Sequence, residues 1–407
     1  MFHALADPVL SVRSTSGTIL TTILSRNMKR FPDVIPKLLQ LLETSQENAI
    51  SGTIDALLKI CEDSASQLSS EFPEVVAAAI PKLIQYFKHP NAKIRSTAVS
   101  CLNEFVPVGA DPLLANMDPY VTGLYQLTGD TDEDVRRAVC QAFVFILESR
   151  PECLMSELHN VIEFMLYCTQ SDEESVAIEA CEFWLTFGEH EELQESLIPY
   201  LSKIVPVLLK GMIYNDEDIV LLGGDDEDAS VPDNEQDIKP RHYKAKTQDF
   251  GVSPANTLPK NSDLSDFEDD EDFDDDDEFD SEWNLRKCSA SAIDMFATLY
   301  GTDLLGILLP LLKERLFSSE WEVRESAILA IGAIAEGCIE GMIPHLSVLV
   351  PLLVQNMVDS KGLVRSISCW TVGRYTSWIC SPPHGTDINQ HHQTYLHPVT
   401  QNVSLVS

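Results

Sequence analysis

One signature recurs along this chain at an almost fixed interval, and it limits the fold more than any other feature. A short polar stretch is followed by an apolar residue and then often by arginine. It stands at Leu10-Ser11-Val12-Arg13, Lys93-Ile94-Arg95, Asp134-Val135-Arg136, Glu322-Val323-Arg324 and Leu363-Val364-Arg365. Ala49-Ile50 and Ser175-Val176 are weaker members without the arginine. The apolar slots fall at positions 12, 50, 94, 135, 176, 323 and 364, with spacings of 38, 44, 41, 41, 147 and 41.

Most openings follow a second apolar pattern that usually carries proline. Examples are Phe31 to Leu39, Val75 to Phe87, Val161 to Tyr167, Leu197 to Leu209, Leu304 to Phe317 and Met342 to Leu353. Apolar residues recur three and four apart there, as a one-faced helix requires. No long run alternates as a strand does. Each unit is therefore helix A, a turn, then helix B. One pair cannot bury its own apolar stripe, so neighbours must stack. A period near 41 lies in the HEAT/armadillo range. The predicted fold is an all-α solenoid of HEAT repeats.

The gap of 147 marks an insertion. Trp283 to Cys288 reads as a helix-B start with Leu285 in the slot, 38 residues before Val323. Its helix A ends near Ile213, so about 68 residues intervene inside one repeat. Residues 216–282 hold 25 acids and five bases. Within them, 263–282 hold 14 acids and no Lys or Arg, including Asp269, Asp270, Glu271, Asp272, Asp274, Asp275, Asp276, Asp277 and Glu278. Such a block cannot bury enough apolar surface to order itself. The expected layout is HEAT repeats over 1–215, an acidic loop over 216–282, HEAT repeats over 283–380 and a disordered, non-repeat tail over 381–407.

Composition narrows the partners. Lys and Arg number 28 against 64 Asp and Glu, a net charge of −36. That charge repels phosphate backbones and argues against nucleic acid as the main ligand. It favours basic partners. Ten cysteines with no CxxC spacing, mostly inside helical patterns, read as reduced thiols in an intracellular setting. No leader is evident at the start. The stretch Met342 to Val358, interrupted by prolines and polar residues, is a poor membrane span. No P-loop, HExxH, GxSxG or dinucleotide turn occurs, so neither an enzyme nor a cofactor is expected.

Overlaying Arg286, Arg324 and Arg365 places Ser291, Leu329 and Trp370 at one register position. Ile367, Trp370 and Arg374 share a face at i, i+3, i+7, and Ser291 and Asp294 share the equivalent face. Gly332 and Gly373 occupy the Asp294 register, which predicts open space beside the ladder. The result is an apolar, aromatic floor with a carboxylate at its edge, fit for a peptide with an aromatic or proline anchor. Trp184 and Trp321 read as core or edge packing. Other readings are a HEAT scaffold of the phosphatase-subunit kind and an acidic histone chaperone.

Several stretches carry a more specific likeness. They are Lys59 to Ala65, Glu179 to Thr186, Pro232 to Ile238, Trp283 to Ala290, Gly332 to Cys338 and Leu363 to Ile367. In these the chain resembles the transportins, the karyopherin-β2 branch of the importin-β family, over roughly residues 4 to 380. The resemblance implies a nuclear import receptor that shuttles between cytoplasm and nucleus. It implies cargo with basic proline-tyrosine nuclear localisation signals, contacts with nuclear pore proteins and binding of GTP-loaded Ran to the N-terminal repeats. It implies that the acidic loop helps to expel cargo. The family's pocket for the proline-tyrosine end maps onto Ser291, Asp294, Leu329, Ile367 and Trp370, with Arg374 beside them. Ser291 departs from the family's usual alanine. The resemblance also implies that the first repeats, with part of the Ran surface, are missing. Beyond Cys380 the family continues with further repeats, whereas this chain loses the helical period. Both ends of the stack are then expected to lack capping repeats and to expose apolar surface.

Overall fold

The computed structural model describes residues 1–44, 46–215, 218–219, 283–381 and 386–406, with backbone alone for 403–406. The described residues are helical, without a strand among them. They form two compact units, 1–207 and 208–407.

In the first unit the longer helices are α1 (Leu10–Asn27), α2 (Val34–Leu41), α3 (Glu47–Glu71), α4 (Pro73–Gln85), α5 (Ala92–Asn103), α6 (Met117–Leu127), α7 (Glu133–Ser149), α8 (Leu158–Cys168) and α9 (Glu174–Glu189). α10 (Leu201–Gly211) crosses the boundary between the units. The odd-numbered helices here are the predicted B helices. α1, α5, α7 and α9 each start two residues before their slot. Ile94, Val135 and Val176 in those slots are fully buried, whereas Val12 is exposed. α6 is a helix A that the sequence pattern did not reveal, because Pro119 and Gly123 interrupt its apolar run. Gly123 is required there: a Cβ would lie 2.6 Å from the Phe87 ring.

The arginine after each slot has a structural job. Arg95 Nη1 donates to the carbonyls of His89 and Pro90, and Arg136 Nη1 to those of Asp130 and Thr131. Each arginine thereby satisfies carbonyls of its own A–B turn that no helix could use. Arg95 also reaches forward with a two-pronged contact to the Asp130 carboxylate, at 2.7 and 2.8 Å. Burial pushes the Asp130 carboxyl up, but Arg95 and the backbone N–H of Asp132 outweigh it and hold the group below its ordinary value. A lowered folded pKa contributes stability above the unfolded value, lost as pH falls through the folded one. The urea midpoint of wild type should therefore exceed that of Asp130→Asn at pH 7. The gap should narrow by pH 3, and an unchanged gap would contradict this account.

Asn103 links three helices in the core. Tyr120 Oη donates to Asn103 Oδ1 at 2.7 Å, and Asn103 Nδ2 donates to the Ala138 carbonyl and to Gln141 Oε1. A fully buried amide is tolerable only with such partners. Trp184, read as packing, is fully buried and donates from Nε1 to Thr169 Oγ1 at 3.1 Å.

The second unit holds α11 (Leu285–Arg315), α12 (Trp321–Ala333), α13 (Ile339–Asn356), α14 (Gly362–Arg374), α15 (Thr376–Cys380) and α16 (His397–Val406). By length and composition alone α11 could cross a membrane, more so than the 342–358 stretch singled out in the sequence. Its backbone breaks at Gly301, at φ +46° and ψ −112°. A side chain there would be strained, and the break separates a helix B from the next helix A. Trp321, also read as packing, is half-buried beside Tyr214, at 6.3 Å between ring centroids.

The expectation of a disordered tail is corrected. Residues 388–406 are helical, and His391 is only 3% exposed. The His391 ring packs edge-on against Trp378 and tilted against Tyr395, at 4.9 and 4.8 Å, and its Nε2 lies 3.1 Å from the Trp378 carbonyl. α16 carries Pro398 and meets α13, with Asn402 Nδ2 donating to the Val354 carbonyl. It lies against the preceding helix A and has the proline typical of such helices. The sequence hid this because ordering comes from aromatic contacts rather than from an apolar period.

Candidate functional site

The site is built by α12 and α14. Thr371 Oγ1 donates to the Ile328 carbonyl at 3.0 Å, and Tyr375 Oη donates to that of Ile331 at 2.9 Å. Partner numbers rise together on the two helices, so the helices run parallel with an offset close to the repeat period. Thr371 is fully buried and Tyr375 nearly so, which locks the rotation of α14. That rotation sets where Trp370 and Arg374 emerge.

Trp370 is half-buried, and its ring lies on Gly332. A Cβ at Gly332 would lie 2.1 Å from Trp370 Cζ3 and 2.8 Å from Thr371 Oγ1. The predicted open space at Gly332 is thus filled by the indole, a correction to the register reading. Gly373 does face open space, with nothing within 4 Å of an added Cβ. Arg374 donates from Nε to the Gly332 carbonyl at 3.3 Å, and its guanidinium is 5.8 Å from the Trp370 ring centre. Its Nη2 is 3.6 Å from Glu336 Oε2.

The other residues of the predicted ladder are placed as follows. Leu329 is half-buried on α12, three residues before Gly332. Ile367 is 4% exposed, so it supports the floor from below and shows little surface of its own. Ser291 and Asp294 are half-buried on the first part of α11. That part is held against α12 by Arg286 and Glu325, paired at 2.6 and 2.9 Å. Ser291 and Leu329 each lie about one turn beyond this pair on their own helices.

The Arg286–Glu325 pair, which the sequence did not single out, is the main electrostatic fixture. The two side chains are 12% and 2% exposed. Arg286 Nη1 also donates to the Met212 carbonyl, and its guanidinium lies 3.9 Å from the Tyr214 ring centre. Burial disfavours the charge on Arg286, but Glu325 and Tyr214 outweigh it and hold the guanidinium above its ordinary range. The pair positions α11 rather than facing a ligand. Its only sequence signal was the arginine after the slot, which other repeats share.

The acidic residues assigned to cargo release, Asp269 to Asp272 and Asp274 to Glu278, lie outside the described residues. Among the described residues no group of His, Cys, Asp and Glu could hold a metal ion. An aromatic floor, a cation and a carboxylate on stacked helices suit the docking of an extended peptide.

Residues 79–109 match the HEAT repeat, and residues 321–375 match the HEAT-like repeat. Mouse transportin-1 is 46% identical over 378 residues, covering 92% of this chain and 41% of that protein. The chain belongs to the transportin branch of the importin-β family. Importin subunit β-2 of fission yeast (Schizosaccharomyces pombe) is 41% identical over 413 residues, covering 99% of this chain and 45% of that protein. This member of the family therefore spans less than half the length of these curated relatives. A crystal structure of importin β aligns at a TM-score of 0.70 with 17% identity, covering 99% of this chain and 42% of that one. That agreement establishes the α-solenoid fold.

Proposed function

We infer that the chain works as a nuclear import receptor of the transportin kind. The observation that carries this reading is the 46% identity with mouse transportin-1 along 92% of the chain. Cargo proteins present basic signals that end in a proline-tyrosine pair. The apolar end of the signal lies on Leu329 and Trp370, over Ile367. Asp294 takes a hydrogen bond or a cation, and the Ser291 hydroxyl borders the floor. Arg374 offers N–H groups to acceptors on the peptide. An aromatic anchor packed on a half-exposed indole gains its affinity from apolar burial, and the net charge of −36 favours the basic flank of the signal.

GTP-loaded Ran drives release, and the acidic insert 216–282 competes with cargo for the strip. Tethering supplies an effective concentration of about millimolar, so weak occupancy by the insert suffices once Ran favours the displaced state. The receptor shuttles between cytoplasm and nucleus through contacts with nuclear pore proteins. It performs no chemistry on its cargo.

The test uses a fluorescent proline-tyrosine signal peptide bound to the chain, with GTP- or GDP-loaded Ran added. The GTP form should release the peptide and the GDP form should not. Deleting 216–282 should slow release several-fold and leave peptide binding intact. Equal behaviour of the two nucleotide forms would return the chain to a plain HEAT scaffold. Loss of binding on deletion would make the insert itself the binding site.

A further inference from the structure

Glycine holds the same register position on two successive B helices. Gly332 stands nine residues past Val323 on α12, and Gly373 nine past Val364 on α14. The first is covered: the Trp370 indole of the following helix lies on it, with Cζ3 2.1 Å from where a Cβ would be. The second is bare: Gly373 is exposed, and an added Cβ would meet nothing within 4 Å. Backbone conformation does not call for glycine there, since among the described glycines only Gly109 and Gly301 have positive φ. An alanine would hold the helix better. Gly373 lies three residues beyond Trp370, hence on the same face and about 5–6 Å further along α14. The half-buried indole thus borders a patch of uncovered helix backbone.

We propose that Gly373 is a specificity-determining position of the peptide site, the seat on which the aromatic anchor of a bound signal rests as Trp370 rests on Gly332. The inference rests on the peptide-binding reading above and deepens it. A flat ring laid on a glycine touches the helix backbone directly and buries a whole face. Its edge can then meet the Trp370 indole in an offset or edge-on contact. The distances suit a proline-tyrosine pair. Adjacent residues stand about 3.8 Å apart, so the proline can stay on the indole while the tyrosine takes the seat one turn on. A branched or long side chain at 373 would occupy the same volume as the ring. An aliphatic anchor fills the seat only in part and gains less burial. Gly373 thereby favours a signal whose last apolar residue is aromatic.

Two fluorescent signal peptides that differ only in ending proline-tyrosine or proline-leucine test this. Their affinities for wild type, Gly373→Ala, Gly373→Leu and Trp370→Ala are read by anisotropy, and the urea midpoint of each protein is measured. Wild type should prefer the tyrosine peptide by about three- to ten-fold. Gly373→Leu should weaken that peptide about ten-fold and the leucine peptide far less, so that the preference disappears. Gly373→Ala should fall between wild type and Gly373→Leu. The urea midpoints of both position-373 variants should equal or exceed that of wild type. A lower midpoint would contradict the open seat. If binding depends on Trp370 but Gly373→Leu weakens both peptides equally or neither, this inference fails and the peptide site stands. If wild type binds neither peptide, the peptide site itself fails, and this inference with it.

Discussion

Glu325→Ala should be the most damaging single change in the second unit, lowering its stability by about 3–5 kcal/mol. The substitution leaves the Arg286 guanidinium in a site built to exclude water, with its two-pronged partner gone. The loss is the cost of an uncompensated buried cation rather than the worth of the pair, and the two can be separated. Replacing both partners, as Arg286→Met with Glu325→Leu, should recover most of the loss, because matched apolar groups avoid the desolvation cost altogether. Urea unfolding followed by tryptophan fluorescence reads both variants. A single mutant within about 1 kcal/mol of wild type would mean that water reaches Arg286 after all.

Trp370→Ala should cost about 2 kcal/mol of binding, roughly 30-fold in Kd for a proline-tyrosine signal peptide. Folding should survive, since the indole is half-exposed and the rotation of α14 is held by Thr371 and Tyr375. Gly332→Ala is the informative companion. It keeps the indole but forces it from its seat, because the new methyl would lie 2.1 Å from Cζ3. Comparable losses in the two variants would tie affinity to the seated ring, not merely to its presence. Equal affinity of Trp370→Ala and wild type would remove the pocket assignment.

The repeat architecture was legible because one physical constraint, burial of a helix face against the next pair, repeats on a fixed period. The slots at Ile94, Val135, Val176 and Val364 are all fully buried. Ile50, in a weaker member of the series without the arginine, is buried as well.

At the candidate site, the register overlay placed Leu329 and Trp370 on adjacent helices but could not reveal contacts that depend on side-chain direction. A glycine at a register position was read as emptiness, whereas here it is the surface on which an indole rests. Glu336 sits in a turn outside any helical register, and the period carried no information about it. The tail failed for a related reason: one aromatic cluster around His391 can order a segment that shows no repeating pattern.

Arg286 takes hold of the Met212 carbonyl and stacks on Tyr214, so the chain is stapled shut immediately before the acidic segment departs and immediately after it returns. Whatever leaves through that closed neck exerts little leverage on the helices beneath. Doubling the length of the excursion should cost only about 0.6 kcal/mol in closure entropy. As far as folding stability goes, its length can therefore change at little cost to the scaffold that carries it, which leaves its size and charge to be set by the release step alone.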